Sequence, residues 1–291
     1  MAAALVHIAL LAYAGAAACF LAWLVKPDGR LVAVGRVLLF AGLLTHLGSL
    51  GVGLGQTPGA GYPAVGFGSA SWSGGQLFSL LAAVTVAGYL ALDLKYRLPV
   101  AGAFVAPITV AVMVPAHLVA GGLRAVNPEV VNSVALGVHV ISSSLGTAAL
   151  ALAFGLSLVY LVSEKQLKSK QPGRLFARLP SLELIDRVGW KLVVWGFIFL
   201  SAAIATGSLV SRESTGALFT LAPKLGFALL SWGLLATLVQ ARLVAGWRGR
   251  RVALLVITGF LLIVGTYAAL LTSSPANKPA VSLLAPGRGA A

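Results

Sequence analysis

The stretch VALGVHVISSSLGTAALALAFGLSLVYLVSEKQLK, residues 134–168, decides the class of the fold. Up to Val162 it holds no Asp, Glu, Lys or Arg, and it exceeds the about twenty apolar residues that carry a helix across a bilayer. Only helices and closed barrels satisfy every backbone polar group in hydrocarbon. The run lacks the roughly ten-residue segments of alternating polarity that mark barrel strands, so it reads as a helix. The remainder of the chain agrees. Hydrophobic residues make up 59% and charged residues 10%, with a mean hydropathy of +0.96. A soluble domain carries about 25% charge. The chain therefore reads as an all-α integral membrane protein.

Further apolar spans lie at roughly 5–25, 34–54, 77–94, 101–121, 188–209, 217–244 and 252–271, so with 133–162 the expectation is a bundle of eight transmembrane helices. The connections are short or Gly/Pro-rich, and residues 1–273 read as a single transmembrane domain followed by a flexible extracytoplasmic tail at 274–291. The first span has no Lys or Arg before its apolar run, which argues for a retained helix over a cleaved signal. Cytoplasmic loops keep Lys and Arg, and this rule orients the bundle. With both termini extracytoplasmic, sixteen of the twenty-one basic residues fall inside, leaving only Arg124, Arg212, Lys224, Lys278 and Arg288 outside. The net charge of +14 then reflects topology and attraction to anionic lipid headgroups, with no nucleic-acid partner required. Trp23, Trp190 and Trp247 stand beside cationic ends and read as interface anchors.

Chemistry in such a bundle falls to polar groups held at membrane depth, where they are costly. His46 lies near the middle of the second span and His139 about two turns into the fifth, whereas His7 and His117 sit near span ends and read as interfacial residues. Neutral imidazole ligates haem iron and divalent metals, so His46 and His139 are the candidate haem-iron ligands. Cys19 is the single cysteine, which excludes a disulfide framework or a Cys-rich metal site.

Several segments carry a family resemblance: LLTHLGSL around His46, DLKYRLPVAGAFVAPITV, the 134–168 stretch around His139, LPSLELIDRVGWKLVVWGF, and LLSWGLLATLVQARLVAGWRGRRVALLVITGFLLIVGTY. Taken in order they resemble the cytochrome c assembly protein family, the haem-handling membrane proteins of the CcsA and HemX-like kind. Haem-presenting members carry a motif W-G-x-x-W-x-W-D-P-K-E in the loop before the seventh helix. Here Thr215, Gly216, Phe219, Leu221, Ala222, Pro223, Lys224 and Leu225 stand at the matching places, so only the Gly, Pro and Lys survive. The family also places a second histidine after the motif, and no histidine follows Lys224 in this sequence.

The resemblance implies an integral membrane component of cytochrome c biogenesis in a bacterial inner (cytoplasmic) membrane. Such a component binds or translocates haem b for attachment to apocytochrome c, alongside a second membrane subunit. It implies haem contacts at His46, His139, Phe219 and Lys224, weakened by the degenerate motif, with the chain no enzyme by itself but a possible subunit of a haem-attachment complex. The alternative within the family is a HemX-like regulator or scaffold of haem synthesis or cytochrome assembly. Pro223 is expected within about a turn of the start of its helix, where its missing N–H is no loss.

Overall fold

In lipid a backbone must bond within its own segment, and the apolar runs accordingly close into helices. The computed structural model describes residues 2–54, 74–118, 134–169, 179–219 and 223–272. Outside the described residues lie the loop with Tyr62, Phe67 and Trp72, Arg124, the basic residues Lys170, Arg174 and Arg178, Leu221 and Ala222, the tail 274–291 and the side chain of His117.

The described residues form eight helices and no strand: α1 (Ala2–Val25), α2 (Gly29–Leu54), α3 (Gly74–Tyr96), α4 (Pro99–Leu118), α5 (Val134–Lys168), α6 (Leu182–Thr215), α7 (Pro223–Ala245) and α8 (Arg250–Thr272). Seven are long and apolar enough to cross a membrane, and α4 adds a shorter apolar run at Pro99–Val114. The chain is a multi-pass membrane protein. Among the described residues α7 starts at Pro223, where the missing N–H of proline was expected.

Short joints make successive helices antiparallel neighbours. Between α1 and α2 the Asp28 carboxylate accepts the Arg30 N–H at 2.9 Å, and Arg97 turns the chain from α3 into α4 with φ 51°. Ser181 caps α6 by accepting the Leu184 N–H, and Gly216 ends it in the left-handed region at φ 77°, its N–H bonded to Arg212 O.

Two cores share α5. The first gathers Tyr13, Phe20, Leu39, Val86, Tyr89 and Met113 from α1–α4 against Leu152, Leu156 and Val159 of α5. Leu150, Ala151 and Ala153, on another face of α5, join Val193, Leu235, Leu238, Val256 and Phe260 in the second. Where α5 meets α6, a Cβ built on Gly146 would stand 3.1 Å from the Leu200 backbone N, so the close crossing needs glycine there. The outward faces remain apolar, with Leu11 72%, Phe40 56% and Leu230 62% exposed, as lipid rather than water requires.

Cations gather at one end of the bundle, at the close of α1, α3, α5 and α7 and the start of α2, α6 and α8. Two carboxylates are drawn in among them. Arg36 of α2 donates to Asp93 of α3 through Nε at 2.5 Å and Nη2 at 3.1 Å. Arg242 of α7 grips Asp186 of α6 at 3.0 and 2.7 Å, its guanidinium 4.6 Å above the Trp190 ring. Trp247 lies under Arg251 in the same way. Trp23, expected as an interface anchor, is only 8% exposed and packs into the first core, because α1 turns that face toward its neighbours.

Candidate functional site

The two candidate histidines occupy different helix seams. His46 is wholly buried among α1, α2 and α3. Its Nδ1 lies 3.2 Å from Tyr13 Oη and its Nε2 2.5 Å from Ser79 Oγ, while the Ser49 hydroxyl donates to its backbone carbonyl at 2.6 Å. Both ring nitrogens thus have protein partners. An imidazole so placed joins three helices, and ligation by it requires one of these bonds to open.

His139 sits on α5 against α6 and is partly buried. Its Nδ1 is 2.7 Å from Ala203 O. A carbonyl oxygen only accepts, so Nδ1 carries the proton and the neutral ring leaves the Nε2 lone pair as its acceptor. That is the tautomer in which a second-shell carbonyl orients a metal-ligating histidine. The ring lies over Gly207, where an added Cβ would stand 2.9 Å from both Nδ1 and Cε1.

Lys224, in the first turn of α7, is exposed and within electrostatic reach of His139. Phe219 is 57% exposed, ahead of α7. Thr215 and Gly216, at the matching places of the motif, form the end and cap of α6. Thr215 Oγ1 donates to Ser211 O at 2.8 Å, so this stretch is tied back onto its own helix. The structure places His139 on the seam of α5 and α6 and Lys224 in the first turn of α7, and leaves His46 on a separate seam. His7 is exposed on α1.

Sequence reasoning missed the groups that orient these imidazoles. Ala203 offers only a backbone carbonyl, for which no residue-type signal exists. Tyr13 and Ser79 carried a weak signal as polar residues within apolar spans. Nearby rings line the seam of α6 and α7, where Trp232 Nε1 donates to Ser201 Oγ at 2.9 Å and Trp232 stacks with Phe197 at 5.7 Å. Deeper, Thr147 Oγ1 and Tyr267 Oη lie 3.2 Å apart across α5 and α8.

Against known proteins, the family model described as Cytochrome C assembly protein matches residues 73–271, well over half of the chain. The match takes in α3 to α8, with His139 and Lys224, and leaves out α1, α2 and His46. A cytochrome c biogenesis protein CcsA of Synechococcus sp. (strain CC9902) is 30% identical over 153 residues, which cover 45% of this chain and 50% of that protein. The CcsA protein of Nostoc punctiforme is 34% identical over 86 residues, 30% of this chain and 24% of the relative. That of Gloeothece citriformis is 30% identical over 95 residues, 33% of this chain and 29% of the relative. The matched segments thus span half the length of these relatives or less. No solved structure matches the chain at a significant level.

Proposed function

The chain belongs to the cytochrome c assembly protein family, and on that ground we propose that it is a membrane component of cytochrome c biogenesis that holds haem as cargo at the His139 end of α5. The observation that carries this reading is the Nδ1 bond from His139 to Ala203 O, which presents Nε2 as a lone pair. Under the proposal Nε2 takes the iron, Lys224 pairs with a propionate, and Phe219 offers a ring face to the porphyrin. Bound haem supplies the vinyl groups that become joined to an apocytochrome.

His46 then acts from the interior, holding α1 and α2 to α3 through Tyr13 and Ser79. Apocytochrome c and a second membrane subunit are the partners this reading implies, in a bacterial inner membrane whose anionic headgroups meet the cationic end. We place both termini outside by the distribution of Lys and Arg.

Absorption spectra of detergent-purified protein, with and without added haem, test the reading. A low-spin Soret band is expected that His139→Ala removes and His46→Ala only lowers through loss of folded protein. A band insensitive to His139→Ala would reject that ligand. No band after haem addition would favour a scaffold that binds other proteins.

A further inference from the structure

The two halves of the bundle repeat one plan. Along α3, the buried Ala82, Val86 and Tyr89, then Asp93 and Arg97, keep the same spacing as the buried Ser231, Leu235 and Leu238 of α7, then Arg242 and Gly246. Arg97 and Gly246 each follow their helix at positive φ, 51° and 65°. Asp93 and Arg242 are each ion-paired to the preceding helix, with the charges exchanged. In α4 and α8 the buried Ala101, Val105 and Thr109 match Val252, Val256 and Phe260. In α1 and α5, Tyr13 and Leu150 each press on a glycine of the next helix, Gly42 and Gly196. The chain is thus two four-helix units, α1 to α4 and α5 to α8, with corresponding helices running in the same direction.

One seat of this plan is filled and its counterpart is open. In the first unit, α3 and α4 receive α5: Leu152 Cδ1 lies 3.0 Å from a Cβ built on Gly88, and a Cβ built on Gly155 stands 3.5 Å from Phe104 Cβ. In the second unit, Thr237 takes the place of Gly88 and Leu255 that of Phe104, and no helix among the described residues covers them. Leu81, 4% exposed, has Leu230 at its counterpart, 62% exposed. Gly226 and Gly233 share the helix face of Leu230 and Thr237, and a Cβ built on either glycine meets no heavy atom within 4 Å. Interior glycine costs a helix about 1 kcal/mol, and small residues let helices approach closely in a membrane.

The repeat also identifies what fits the open seat. Ala151, Gly155 and Val159 of α5 are buried, whereas their counterparts on α1, Ala14, Ala18 and Ala22, form an exposed stripe. Charge agrees with this fit. Asp28, just beyond α1, and Arg248, Arg250 and Arg251, at the start of α8, are exposed, and among the described residues none of them belongs to an ion pair. Both segments lie at the cationic end of the bundle, so docking sets opposite charges at one level.

We propose that α7 and α8 of one copy receive α1 of a second copy, as α3 and α4 receive α5 within the chain. The contact is head-to-tail, joining two different faces, and it does not rest on the haem reading. Its test is the mass of the purified full chain in lipid nanodiscs, together with disulfide trapping in a Cys19→Ala background. The Cβ separation of Gly155 and Phe104 lies within disulfide range, so their counterparts Ala18 and Leu255 should be linkable between copies. Differently tagged chains, one carrying Ala18→Cys and the other Leu255→Cys, should form a mixed disulfide on oxidation, and neither chain should link to its own kind. Ala18→Trp, which alters only the exposed stripe, should reduce the assembly to single chains. Should Leu255→Cys fail to fold, the mass of the Ala18→Trp variant decides alone. A single-chain mass for the native protein, an assembly unchanged by Ala18→Trp, or disulfides between like chains would each overturn the proposal.

Discussion

A carbonyl can only accept, so the 2.7 Å contact from Ala203 O decides which nitrogen of His139 bears the proton, and Gly207 decides how closely the ring approaches α6. A methyl at Gly207 would meet the ring at 2.9 Å, and either the imidazole or the helix must move. Gly207→Ala is therefore expected to lower stability by roughly 1–3 kcal/mol, as overpacking does. Gly189→Ala, with open space around it, should raise stability by up to about 1 kcal/mol. Thermal unfolding of the two variants in one detergent checks the contrast, and a harmless Gly207→Ala would show that the ring is not held as described. His139 stood out in the sequence as an ionisable residue within an apolar span. Its orientation did not, because a backbone acceptor sixty-four positions away is supplied by the crossing of two helices and by no residue type.

Helix ends show what the scarcity of acids is for. The chain has seven, and Asp93 and Asp186 lie inside helices, where an unpaired carboxylate would be costly. Arg242 and Asp186 are 11% and 21% exposed at their side chains, so removing the guanidinium strands a charge with little water around it. Arg242→Ala should destabilise by about 3–5 kcal/mol, and pairing it with Asp186→Leu should restore most of the loss. A double-mutant cycle measured by unfolding gives the coupling, and additive losses would mean that the pair contributes nothing as a pair.

At the other end, the degenerate motif includes both the α6 cap at Gly216 and the α7 start at Pro223. Under the haem proposal, Thr215→Trp, Phe219→Trp, Leu221→Trp and Ala222→Asp together rebuild its aromatic and acidic character. Haem retention, read by the Soret band, should rise in that variant. If it does not, the imidazole of His139 suffices and ring faces add nothing. Helix number and most bounds were legible from apolar runs alone, and the start of α7 from its proline. The helix entries of α2 and α6 were not, since polar first turns lie outside any hydropathy window: α2 begins at Gly29 and α6 at Leu182, ahead of the spans at 34 and 188.

Across the whole molecule, the hairpin of α1 and α2 lies outside the family match yet is fastened to the matched part near both ends, by Arg36 to Asp93 and by His46 to Ser79. One body therefore spans the bilayer, and its orientation can be read from a single pair of positions. The cations at the close of α3, α5 and α7 share an end with the starts of α2, α6 and α8, as antiparallel succession requires. Moving that end across a membrane would carry most of the basic residues with it, against the preference that retains Lys and Arg in the cytoplasm. In a Cys19→Ala background, which removes the single native thiol, Ser169→Cys just beyond α5 should resist membrane-impermeant thiol reagents in intact cells and react after lysis. Ser214→Cys, exposed near the close of α6, should react from outside. Reversed labelling would turn the bundle over, put His139 and Lys224 on the cytoplasmic half, and exclude delivery of haem to an extracytoplasmic acceptor from that site.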